Sequence, residues 1–96
     1  MPQRLTLTAE TQVEIQPLIE SAIQSELKML ELGLQRTRQR LRDFEQRFGM
    51  SSAEFEQRFS TGELEETLDL IEWLGEIRTL DLLHANLQAL QGVRIN

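Results

Sequence analysis

Eight residues, Ile23, Leu27, Leu30, Leu34, Thr37, Leu41, Phe44 and Phe48, follow one another at alternating steps of four and three, and only Thr37 is not apolar. Such spacing returns every side chain to one face of an α-helix, so the run is a heptad seam held for more than three heptads. A chain with this repeat is committed to a long helix that buries one stripe against another helix. A second seam follows at Leu70, Trp73, Ile77, Leu80, His84 and Leu87. The predicted fold class is therefore all-α: a long helical hairpin with a short connecting helix, preceded by a short N-terminal strand, that dimerises into a four-helix-bundle or coiled-coil-like assembly. The predicted core seam is Leu27, Leu30, Leu34, Leu41, Phe44, Phe48, Trp73, Ile77 and Leu80.

The breaks in the pattern set the boundaries. Leu5 and Leu7 alternate with Thr6 and Thr8, as in a short strand. Thr8 and Thr11 are both of N-cap type, and Thr11 with Glu14 fits a capping box. Proline is tolerated in a first helical turn and breaks a helix interior. Pro17 thus places the start of the long helix between Ala9 and Pro17, nearer the proline, and the alternation of Val13 and Ile15 is compatible with a second extended piece before it. Gly49 ends the helix as a left-handed C-cap. Ser51 and Glu54 form a capping box for a short helix that carries Phe55 and Phe59 on one face. Ser60-Thr61-Gly62-Glu63 is a second break, and Gly92 caps the last helix. The expected organisation is one domain, 1–96: an extended arm over 1–16, a long helix over 17–48, a short helix over 52–59 and a long helix over 63–91.

Apolar residues widen both seams. Ile19, Met29 and Leu32 do so on the first helix, and Leu64, Leu68, Ile71, Leu74, Leu83 and Leu90 on the last. A first helix of roughly 45–50 Å, at 1.5 Å per residue, far exceeds the radius of gyration of about 12–13 Å for a compact chain of this length. A lone hairpin buries one stripe per helix and leaves the rest in water. A homodimer, or an obligate complex with another chain, covers it; the alternative is a monomer whose short helix and N-terminal strand fold over the open face.

Composition removes several classes of chemistry. There is no Cys and one His, His84, which excludes disulfides, thiolate zinc sites, Cys nucleophiles and a multi-histidine metal site within one chain. Lys+Arg number 10 against 16 Asp+Glu, a net charge of -6, which argues against a nucleic-acid coat or a polybasic membrane binder. No apolar run nears the ~20 residues that span a bilayer. Met1-Pro2-Gln3-Arg4-Leu5 lacks the apolar region of a signal peptide, so a cytoplasmic location is expected.

The negative charge sits after Gly49, where three basic residues face nine acidic ones. Glu65, Asp69, Glu72 and Glu76 step by four, three and four and form one acidic stripe on a helix. It reads either as a solvated face supported by pairs such as Asp43–Arg47 and Glu54–Arg58, or as a surface that docks on a basic protein partner. Arg40 and Arg47 fall at g positions of the first seam, and Glu31, Arg38 and Glu45 at e. With Arg36 and Arg42 they straddle the seam. Pairing with the acidic last helix, within or between chains, explains that placement better than a single DNA-facing surface.

No catalytic constellation emerges, and no cofactor is expected. Glu65, Glu66, Asp69, Glu72 and Glu76 have the spacing seen in Mg²⁺-dependent all-α nucleotide pyrophosphohydrolases, but such sites need carboxylates from facing helices. The first long helix offers only Glu26 and Glu31, without a paired motif. His84 lies on the seam and reads as a packing residue; no triad can be drawn. The glycines are scattered rather than gathered in a phosphate loop. A strand before a helix is also the layout of ribbon-helix-helix DNA binders, but only Arg4 and the threonines would point outward here, and the second helix is missing at the required distance.

The stretch Phe44-Glu45-Gln46-Arg47-Phe48-Gly49-Met50-Ser51-Ser52-Ala53-Glu54-Phe55, then Arg58-Phe59, Gly62-Glu63-Leu64 and Ile71-Glu72-Trp73, resembles a group of small prokaryotic proteins. These look like the antitoxin halves of toxin–antitoxin pairs. The resemblance covers about a third of the chain. Phe48 stands where the group often has Tyr, and Glu65-Glu66-Thr67 replaces its Gly-Asp-Asp. It implies a shared fold first, and then a non-enzymatic module that neutralises a toxin-like partner through its acidic C-terminal half.

Overall fold

The computed structural model describes residues 9–93 as three helices: α1 (Ala9–Phe48), α2 (Ser52–Ser60) and α3 (Leu68–Gln91). The long helices α1 and α3 run antiparallel as a hairpin, and α2 lies across its closed end. No strand occurs among the described residues. The strand expected at Leu5–Thr8, and the Thr8 cap, lie outside them.

Two boundaries differ from expectation. α1 begins by Ala9 and carries Pro17 inside it. Thr11 and Glu14 therefore sit within the helix rather than in a capping box, and Val13 and Ile15, compatible with an extended piece, belong to the helix as well. Proline costs a helix interior about 3 kcal/mol, but Ala9, Glu10, Gln12, Glu14 and Gln16 are good helix formers and carry the helix through it. α3 starts at Leu68 rather than near residue 63. Glu63 N–H is already committed, donating to Arg58 O at 3.0 Å, while Gly62 N–H donates to Phe59 O at 3.2 Å. Together these bonds form a Schellman motif closing α2, and Gly62 takes the positive φ of 79° that it requires. The chain then bends at Leu64 and runs without regular structure to Thr67, whose hydroxyl accepts from Leu70 N–H at 3.3 Å as the N-cap of α3.

α2 matches expectation to one residue. Gly49, at φ 68°, ends α1. Ser51 Oγ accepts from Glu54 N–H at 3.1 Å. The reciprocal arm of the capping box is replaced: Glu54 turns to Arg58 at 3.5 Å, and Glu45, from α1, accepts the Ser52 amide at 2.8 Å. A carboxylate on the first free amide of a helix is the favourable end of its dipole.

The buried core is Leu41, Phe55, Leu70, Trp73 and Ile77, with Phe44, Phe48, Met50, Phe59, Leu64, Leu74 and Leu80 packed around it. All of it lies toward the closed end. Leu30, Leu34 and Thr37 continue the buried seam toward the open end, where Ile23 and Leu27 are only half-buried. The predicted seam residues are all buried or half-buried, and burial drops at the open end beyond Leu30. The radius of gyration is 19.6 Å and the extents are 61 × 28 × 20 Å, against about 12 Å for a compact chain of this size. No helix of the described residues is long and apolar enough to cross a membrane.

Candidate functional site

The closed end is self-sufficient. Trp73 is wholly buried. Phe55 stacks on it at 4.0 Å between centroids, with Phe48 at 5.5 Å and Phe44 at 5.6 Å. Its indole N–H donates to Ser52 Oγ at 2.9 Å, which satisfies the one polar atom this aromatic core encloses. Every Phe of the chain and its single Trp meet here, so α2 is pinned to both long helices through side chains rather than through its length.

The two seams place equivalent positions of the helices opposite each other along one flank. On α1 these are Glu26, Gly33, Arg40 and Arg47, and on α3 they are Leu90, Leu83, Glu76 and Asp69. Each step of seven down α1 is met by a step of seven along α3. Arg47 pairs with Asp69, and Arg40 pairs with Glu76 at 3.1 Å. A side chain at Gly33 would start 3.5 Å from Leu83. Glu26 and Leu90 line one shallow groove with Leu30, Asn86, Ala89 and Val93. The flank therefore changes character halfway: two ion pairs at the closed end, and a glycine against leucine at the open end. On the other side Arg38 donates to His84 Nε2 at 2.9 Å. Arginine has no acceptor, so this contact needs the neutral His84 tautomer with its proton on Nδ1. His84 is a half-buried seam residue there.

The acidic stripe is divided between roles. Glu65 is exposed in the connection before α3 and is not on the helix. Asp69 and Glu76 are taken up by Arg47 and Arg40. Glu72 is exposed on α3 and borders a groove of about 650 Å³ with Arg40, Asp43, Phe44, Arg47, Gly75, Glu76 and Thr79. One oxygen of Glu76, Oε2, is buried without a hydrogen-bond partner. The expected pairing of the arginines with the last helix is realised within the chain at Arg40 and Arg47. The capping carboxylate of Glu45 was hidden in the sequence, because its target amide lies across a turn. Among the described residues no three His, Asp or Glu side chains come within reach of one metal ion.

Several large apolar side chains lie on the outer surface. Met29 is 65% exposed and Leu32 54% on α1, and Leu68, Ile71 and Leu82 are exposed on α3. Leu82 to Val93 contains no Asp, Glu, Lys or Arg. α3 thus shows large apolar side chains on its outer face, at Leu68, Ile71 and Leu82, among the exposed polar residues Glu72, Arg78, Asp81 and Gln88. No family model, no curated protein and no solved structure matches the chain.

Proposed function

We propose that this protein is a non-enzymatic helical protein–protein interaction module that works as a homodimer and presents its acidic C-terminal half to a basic partner. The observation that carries the reading is the exposure of large apolar side chains on both long helices, Met29 and Leu32 on α1 and Leu68, Ile71 and Leu82 on α3. A second chain is the ordinary way to cover such a surface in water. The toxin–antitoxin resemblance around Phe44 to Trp73 gives the partner its chemistry: a protein with a cationic docking face. Asp69 and Glu76 are occupied by arginines of the same chain, so Glu65 and Glu72, exposed around the start of α3, are the carboxylates offered to it.

Sedimentation equilibrium at tens of micromolar tests the self-association. The expected mass is twice the 11.2 kDa of one chain; a single species at 11.2 kDa with no adhering polypeptide refutes it. Pull-down of a co-expressed basic protein tests the second part. Glu65→Gln with Glu72→Gln is expected to release it, and unchanged retention overturns acidic docking.

A further inference from the structure

The hairpin is closed at one end and unfinished at the other, and the unfinished part lies on one identifiable flank. At the closed end the flank is sealed by Arg47–Asp69 and Arg40–Glu76, and the opposite side is covered by α2. At the open end the opposite side carries Gln24, Glu31, Gln35, Gln88 and Gln91, a polar surface at home in water. Among the described residues the flank with Glu26, Gly33, Leu83 and Leu90 has no such cover, and Met29 and Leu32 are exposed nearby on α1.

We infer that this open-end flank, centred on Gly33 and Leu83 and bordered by Met29 and Leu32, is the surface that takes a second copy of this chain. The inference rests on the self-association proposed above and assigns it a place. Three observations select this occupant. The surface is poor in charge: Glu26 is the one charged residue of α1 that shares the open-end flank with Gly33, and α3 from Leu82 to Val93 has no Asp, Glu, Lys or Arg. A strongly charged partner would gain little there, whereas an identical, largely apolar flank matches it, as a two-fold interface requires. Area is available for association: the chain exposes 7733 Å², against about 5,700 Å² for a compact monomer of its mass, and the surplus of roughly 2,000 Å² is spread over the whole elongated chain, where a standard stable interface takes ~800 Å² per partner. The third observation is Gly33 itself. Glycine in a helix interior costs about 0.5–1 kcal/mol relative to alanine, and a Cβ here would make only ordinary contact with Leu83. Nothing inside the chain requires the glycine. A side chain arriving from outside does, because Gly33 leaves a notch floored by Leu83 into which a knob of the second copy fits.

The test compares both ends of the hairpin. Met29→Glu buries a carboxylate in the inferred interface of each copy and is expected to weaken dimerisation on the order of a hundredfold or more. Ile71→Glu, exposed at the closed end, is expected to leave the dimer intact. Gly33→Ala gives opposite signs: higher helix stability in the monomer and a weaker dimer. The chain has no cysteine, so Met29→Cys introduces a unique thiol, expected to form an inter-chain disulfide under mild oxidation, while Ile71→Cys does not. If Met29→Glu loses helicity, the crosslinking pair decides alone. A dimeric parent that Ile71→Glu dissociates and Met29→Glu does not, or that crosslinks through Ile71→Cys only, overturns this placement and leaves self-association standing. A monomeric parent overturns both.

Discussion

Phe55→Ala is the most informative single perturbation of the closed end. Phe55 has no exposed surface, lies parallel to the Trp73 indole within 3° and holds Phe59 at 5.5 Å on its other side. Truncating a buried Phe to Ala costs about 3–5 kcal/mol in transfer and cavity energy, of which about 0.5–1.5 kcal/mol is the aromatic stack. A chain of this length has roughly 5–14 kcal/mol in total, so the change removes a large fraction. With a urea slope near ~1.5 kcal/mol/M, the midpoint falls by ~2–3 M. The assay is a urea titration followed by fluorescence of Trp73, the only tryptophan. Protomer concentration is held fixed, because association shifts the midpoint by mass action. Phe59→Ala, at a half-buried site, is the control and should cost about 1–2 kcal/mol. A loss below ~1 kcal/mol for Phe55→Ala, with Trp73 emission unchanged, refutes the view that α2 seals the core.

Three further outcomes follow from single contacts. Gly62→Ala forces an alanine to a φ of 79° and should cost about 1 kcal/mol by thermal unfolding; no change means that the Schellman turn relaxes without cost. Glu45→Ala leaves the Ser52 amide without its α1 partner and should destabilise by about 1 kcal/mol, with the loss of amide-exchange protection greatest in α2. Glu76→Gln should change stability by less than ~1 kcal/mol in either direction. Its ion pair reaches an arginine that is 57% exposed, and its Oε2 is buried without a partner, so pairing and desolvation nearly offset.

Much of this fold can be read from spacing. The two seams identify the helices that pack, the side that faces inward and the three breaks, because a period of 3.5 with glycine stops has few alternative meanings. The g positions also marked Arg40 and Arg47 as partners of the last helix. What spacing missed depends on competition. Pro17 argued for a late helix start, but one lost hydrogen bond was outweighed by good helix formers on its N-terminal side. The first turn of α3 was placed too early because Glu63 looks like a helix-start residue; its amide is taken by the closing turn of α2. The acidic stripe looked continuous from Glu65 to Glu76 for the same reason, and lost its first member when the helix began at Leu68. Gly33 shares its heptad position with Arg40 and Arg47, and that coincidence was the available signal for an unfinished flank.

The constant seven-residue match between the long helices also makes the hairpin a ruler. Its phase is set once, at the turn around α2, and every later rung inherits it. Adding or deleting one heptad in both arms together moves the open tip by about 10.5 Å and leaves each remaining rung facing its old counterpart. Changing one arm alone slips every rung between the change and the open tip, setting those residues against the wrong neighbours. Length in this architecture is therefore adjustable in paired increments, and any partner held at the turn is carried a fixed, countable distance from the tip.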